Sequence, residues 1–175
     1  GWRAQPTAAV QLDDCPAILL GTEGCGFAYA MAGLDGGRLN IAAAALGGAQ
    51  AAFDATLAYM RERRAFGQAL TAFQALQFRL ADMEVRLQTA RAFLRQAASM
   101  LDAAHPRATA HCAMAKLYVT DAAFEVANQC LQLHGGYGYL ADYGIEKIVR
   151  DLRVHQILEG TNEIMRLIVA RDLLS

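Results

Sequence analysis

The stretch FQALQFRLADMEVRLQTARAFLRQAASML, residues 73–101, decides the fold. Within it Phe73, Leu76, Leu80, Met83, Leu87, Ala90, Leu94, Ala97 and Leu101 alternate steps of three and four without a miss. That spacing puts them on one face of an α-helix, a rod roughly 40–45 Å long. His105-Pro106 breaks the pattern. A further helix is predicted over about 107–133, on the stripe Cys112, Ala115, Val119, Ala122, Val126, Cys130 and Leu133. Upstream, a long helix is predicted from about Phe27 to about Arg64, despite Gly33, Gly36, Gly37, Gly47 and Gly48. Each interior glycine costs about 1 kcal/mol relative to alanine, so close approach of another backbone or a ligand is the expected reason. Gly67 is expected to end that helix in the left-handed position beyond it. Long helices joined by short breaks imply an all-α fold, an antiparallel up-and-down domain of the four-helix-bundle kind.

Composition agrees. The chain has 175 residues, 55% of them hydrophobic and 36 of them alanine, and its prolines are confined to Pro6, Pro16 and Pro106. With 16 basic against 17 acidic residues there is no basic excess to neutralise phosphates, which argues against nucleic acid as a partner. The cysteines Cys15, Cys25, Cys112 and Cys130 form no CxxC pair, and the last two sit in helical patterns as small apolar residues do. No uninterrupted apolar run reaches about 18 residues, so no membrane insertion is expected. No signal-peptide pattern opens the chain. His105, His111, His134 and His155 lack metal-site spacing, and no metal site is expected. Neither phosphate-loop motif nor a Gly-x-Ser-x-Gly elbow is present.

Residues 1–24 read differently. Ala8, Val10 and Leu12 alternate with other residues, and Ile18-Leu19-Leu20 leads into Gly21 and Gly24. One or two short extended segments are predicted, and a lone strand leaves its ladder groups unpaired. The expectation is a segment left over from a β-domain at 1–24, followed by a helical domain at 25–175. Beyond Leu133 the run His134-Gly135-Gly136-Tyr137-Gly138-Tyr139 is too rich in glycine and aromatics for a packing helix. A short helix over about 145–152 and a last one over about 162–174 follow. Thr161 or Asn162 can cap the latter, with Glu163 in its first turn.

Four places carry candidate chemistry, and each has a plain structural reading beside the functional one. Glu159, followed by Gly160 between two helices, is either a solvated turn glutamate or a general base at a pocket mouth. Asp35 and Arg38 share a helix face, as an ordinary ion pair or as part of a site beside the Gly36-Gly37 backbone. Arg63-Arg64 can complement a helix dipole or, through the guanidinium fork, hold a pyrophosphate. Gln132 and Gly135-Gly136 mark a helix stop or offer an amide and exposed backbone to a ligand.

Asp35-Gly36-Gly37-Arg38, Glu62-Arg63-Arg64-Ala65-Phe66-Gly67, Gln74, Gln132-Leu133-His134-Gly135-Gly136, Arg150-Asp151 and Leu158-Glu159-Gly160-Thr161-Asn162-Glu163, in this order, resemble the C-terminal half of the flavin-dependent acyl-CoA dehydrogenases. Within that family the run from His134 to Leu140 and the run from Arg153 to Gly160 are most similar to the isobutyryl-CoA, short branched-chain, group. The resemblance implies α,β-dehydrogenation of an acyl-CoA thioester, with Glu159 taking the α-proton and the β-hydrogen leaving as hydride to FAD. It places Asp35, Arg38 and Gly160 at the acyl-CoA, and Arg63, Phe66, Gln74, Gln132, Gly135, Gly136, Thr161 and Glu163 at FAD. In the family several of these reach a neighbouring subunit's flavin, which implies a homotetramer, a dimer of dimers. An electron-transferring flavoprotein would accept the electrons, in a bacterial cytoplasm or a mitochondrial matrix. Ala65 departs from a hydroxyl residue common there, and Leu158 from a tyrosine that often precedes the base. The family's N-terminal helical domain and most of its β-domain have no counterpart in this sequence, so the 175 residues alone are expected to be inactive. The competing expectations are a non-catalytic helical assembly module and an oxidase-like flavoenzyme on the same fold.

Overall fold

The structure is a computed structural model that describes all 175 residues. Three long helices dominate: α1 (Gly26–Glu62), α2 (Gln74–Asp102) and α3 (Ala108–His134). Two 3-10 turns, at Gly135–Tyr139 and Ala141–Tyr143, lead to α4 (Ile145–His155) and α5 (Asn162–Leu174). Side-chain pairs give the directions. Gln50 meets Arg91 while Leu39 packs with Ala97, so α1 and α2 run antiparallel. Met83 meets Cys130 and Phe93 meets Tyr118, so α2 and α3 are antiparallel too. Asp35 meets Thr109 and Tyr59 meets His134, so α1 and α3 run parallel.

The core follows from the alanine content. Ala42, Ala45, Ala49 and Ala52 of α1 are fully buried, and they cluster with Val119, Ala123, Val126 and Ala127 of α3. Small side chains let the two backbones approach closely at interior packing density. Met83, Leu87 and Ala90 of the α2 stripe close this core, and Ala97 closes a smaller one with Leu39, Cys112 and Ala115. Burial pushes the thiols of Cys112 and Cys130 up to about 11, so both act as small apolar residues. By length and composition α1 could cross a membrane, but in this fold its alanine face is the core.

Three local details depart from the sequence reading. The first helix ends at Glu62, where Arg63 turns extended, and Gly67 is not its cap. Phe66 and Gly67, at φ 50° and 82°, instead form the two-residue turn of a hairpin between β1 (Arg64–Ala65) and β2 (Gln68–Ala69). Two successive positive φ values suit the twist of such hairpins. The break after α2 is made by Ala104 at φ 47°, with its N–H donating to Leu101 and that of His105 to Met100. This is the paired pattern that closes a helix end, built here on alanine rather than glycine. Of the five interior glycines of α1, Gly37 meets Glu159 and Gly48 meets Leu152, whereas Gly33, Gly36 and Gly47 face open space. Residues 1–24 form no ladder, and Val10, Leu12, Ile18, Leu19 and Leu20 are exposed.

Candidate active site

The turn between α4 and α5 is built to hold Glu159. The Asn162 N–H donates to the Gln156 carbonyl at 3.0 Å and closes the loop, and Leu158 N–H reaches Val154. Between these anchors Glu159 and Gly160 are both left-handed, at φ 55° and 84°. Glycine adopts that region freely, but a glutamate there is strained and must be held by its surroundings. The Glu159 carboxylate lies against the α1 backbone at Gly37, where any Cβ would collide with Oε2. It also borders a cavity of about 420 Å³ whose walls include Trp2, Ile41, Val154 and Leu158. Thr161 accepts from the Ile164 N–H at 3.4 Å as the α5 cap.

Asp35 and Arg38 flank Gly37 on the same stretch of α1. The Arg38 guanidinium donates to Asp35 at 2.6 Å, and the second Asp35 oxygen accepts from the Thr109 hydroxyl at 2.6 Å. The pair therefore ties α1 to α3 as well as bridging one helix turn. Arg38 is buried at 7% exposure, and its Nε has no partner. Gly160 is exposed, and its carbonyl accepts from Lys116.

Lys116 lies outside the apolar stripe read from the sequence but on the same helix face. It stands four residues after Cys112 and three before Val119, on the buried face of α3. Its ammonium donates to Gly160 O at 2.9 Å and to Asn162 Oδ1 at 2.7 Å. Asn162 in turn donates to Asp121 at 2.7 Å and Thr120 at 3.1 Å, and Gln156 donates to Asp121 at 2.7 Å. Burial pushes the lysine down to about 8, opposed by the carboxylates of Asp121, Glu163 and Glu159. His155 is also buried, with neither ring nitrogen partnered and the Trp2 ring edge-on at 4.9 Å. Burial holds its pKa down, against the pull of Asp151.

A second cleft, of about 400 Å³, gathers Arg63, Gln132, Gly135 and Gly136. The Arg63 guanidinium lies over the Tyr137 ring at 5.1 Å, inside an aromatic group in which Tyr59 stacks on His134 at 4.3 Å. An exposed guanidinium, a carboxamide and glycine backbone form a donor set suited to an anionic diphosphate. Phe66, 95% exposed, sits at the hairpin tip, and Gln74 opens α2; neither lines this cleft. Thr161 and Glu163 lie at the start of α5, beside Glu159. The Glu163 carboxyl is held below its usual range, first by its own backbone N–H and then by the Thr161 hydroxyl. Of the eight residues expected at FAD, four line this cleft, Phe66 and Gln74 lie outside it, and Thr161 and Glu163 stand at the start of α5.

Comparison with known proteins gives the family. The family profile described as acyl-CoA dehydrogenase, C-terminal domain, matches residues 24–174. The mitochondrial isobutyryl-CoA dehydrogenase of Bos taurus is 50% identical over 99% of this chain and 42% of its own length. The solved butyryl-CoA dehydrogenase of Megasphaera elsdenii superposes with a TM-score of 0.85 at 40% identity, covering 89% of this chain and 40% of that one. A chain solved in work on the electron transferring flavoprotein of Acidaminococcus fermentans gives 0.84 at 44% identity, covering 88% and 40%. The chain therefore spans less than half the length of the relatives it matches. Acyl-CoA dehydrogenases are FAD-dependent oxidoreductases. By its profile match, its identity to these enzymes and its helical architecture, the chain belongs to the acyl-CoA dehydrogenase family, as the C-terminal helical domain.

Proposed function

We propose that the protein containing this chain oxidises a short branched acyl-CoA thioester such as isobutyryl-CoA to its α,β-unsaturated form, with Glu159 as the base. The observation that carries this reading is the Glu159 turn. A strained left-handed glutamate is held with its carboxylate on a bare stretch of α1 backbone, at the edge of a cavity whose walls join Trp2, Ile41, Val154 and Leu158 to the polar Gln5 and Thr7. A carboxylate in such a place is positioned to take the weakly acidic α-proton onto an Oε atom. The apolar side of that cavity, Trp2, Ile41, Val154 and Leu158, suits a short aliphatic acyl group. Asp35, Arg38 and Gly160 line the thioester side, and Arg38 has a buried Nε still free to donate.

The donor set around Arg63 suits a diphosphate, which fits the family's FAD, and FAD bound here would supply a hydride acceptor for the β-hydrogen. Arg63 holds its pyrophosphate. Gln132, Gly135, Gly136, Phe66 and Gln74 supply further contacts, and Thr161 and Glu163 serve a flavin from the α5 end. The division of these residues supports a homotetramer in which each subunit lends side chains to a neighbour's cofactor. An apolar groove of about 570 Å³ bordered by Phe93, Met114, Leu117, Tyr118 and Leu173 supports subunit packing on the α2–α3–α5 face. Residues 1–24 are the end of a β-domain, whose exposed apolar side chains pair with strands upstream. An electron-transferring flavoprotein takes the electrons, in a bacterial cytoplasm or a mitochondrial matrix. The test is Glu159→Gln in the full-length protein: kcat with isobutyryl-CoA should fall by about 10²–10⁴-fold with FAD content unchanged. Near-normal turnover removes Glu159 as the base.

A further inference from the structure

Lys116 is the largest side chain that the fold buries completely. An ammonium out of water is costly unless it is hydrogen-bonded, and a structural need at this site would be met at lower cost by an apolar side chain of similar length. Both of its acceptors are neutral, the Gly160 carbonyl and the Asn162 carboxamide. Gly160 directly follows Glu159, and Asn162 carries the N–H that closes the turn onto Gln156. Gln156 and Asn162 are both tied to Asp121 on α3, the helix that also bears Lys116. One helix thus grips the turn at its start, after its left-handed pair and at its end. The strain at Glu159 calls for such a grip, because a left-handed glutamate released from its neighbours relaxes to negative φ.

We propose that Lys116 is a positioning residue for Glu159: through Gly160 and Asn162 it holds the left-handed turn that lays the carboxylate against Gly37. The proposal rests on the reading of Glu159 as the base. The titratable groups around the amine come from every neighbouring element: Asp121 on α3, Glu159 in the turn, Glu163 on α5, Arg38 on α1 and His155 on α4. The carboxylates favour the protonated amine, Arg38 opposes it, and His155, held down by burial, is neutral at pH 7; with the amine at about 8 the grip is a charged one at neutral pH.

The test compares full-length wild type, Lys116→Met, Glu159→Gln and the double variant, each purified with its flavin. Lys116→Met should lower kcat by about 10–100-fold, the cost of a misplaced reacting group, with KM and FAD content within about twofold of wild type. The double variant should be no slower than Glu159→Gln, because a positioning residue has nothing left to position. Wild-type kcat in Lys116→Met overturns the proposal, as does a further equal loss on top of Glu159→Gln. If Glu159→Gln is inactive while Lys116→Met is fully active, this inference alone fails. If Glu159→Gln keeps normal activity, the base assignment fails and this inference with it. Should Lys116→Met not assemble with flavin, Lys116→Gln decides: a kcat loss with unchanged KM supports the proposal, and full activity overturns it.

Discussion

The Glu159 turn and the Arg63 cleft sit on one helical frame but are finished to different degrees. Around Glu159 most polar groups answer one another within the chain: buried Lys116, Asn162 and Thr120 join the half-exposed Asp121 and Gln156 in one hydrogen-bonded group, while Arg38 Nε and the His155 ring stay unpartnered. Around Arg63 the donors face outward, and the contact that orients the guanidinium is a ring, that of Tyr137. Satisfied buried polar networks fix geometry, whereas exposed donors on a rigid wall are free to take a ligand. On the proposed function, the first region sets where a proton goes and the second contributes part of a cofactor site that other segments complete.

If that division holds, substitutions in the two regions should separate cleanly. Arg63→Ala should weaken FAD by about 10–100-fold, as expected for losing a hydrogen bond to a charged group, yet leave kcat at saturating FAD within about twofold. Flavin titration and turnover on the same preparation check both halves, and an equal loss in kcat would merge the regions. Gly37→Ala should do the reverse. Its methyl displaces the Glu159 carboxylate without touching the Arg63 cleft, so kcat should fall by about tenfold with FAD affinity unchanged. The displaced group is the end of a flexible side chain, which is why the effect should be smaller than that of Glu159→Gln.

The smallest expected effect is on stability. Lys116 loses its proton at about 8 in the folded protein, against 10.5 when free. Between those values the unfolded chain binds more protons, so stability rises with pH; below about 8 the full burial penalty applies, at most roughly 3 kcal/mol. The Tm of full-length wild type relative to Lys116→Met should therefore increase between pH 8 and 10. Parallel Tm curves for the two proteins would show that the buried amine does not titrate in this window.

Much of the frame was legible because long periodic stripes leave one arrangement open: residues 73–101 gave α2 within a residue at either end. The α5 start was legible for a local reason, the hydroxyl of Thr161. The hairpin at Phe66-Gly67 was not, because strands of two residues carry no period and Gly67 suits a helix end equally well. Nor was the stop at Ala104, where hydrogen bonds to Met100 and Leu101 impose on alanine a conformation usually left to glycine. At the site, Gly160 drew notice to Glu159, and the charged pair drew notice to Asp35 and Arg38. Lys116 was not legible, because a lysine next to apolar stripe positions usually snorkels to water. Trp2 on His155 is a long-range contact that spacing does not encode.

In the proposed reaction Glu159, held in its left-handed turn, removes the substrate's α-proton. The most direct measurement is the rate at which isobutyryl-CoA bleaches the bound flavin in a single anaerobic turnover, compared between wild type and Glu159→Gln. Loss of a positioned general base predicts a rate lower by about 10²–10⁴-fold with the substrate still bound. Bleaching at the wild-type rate would contradict it.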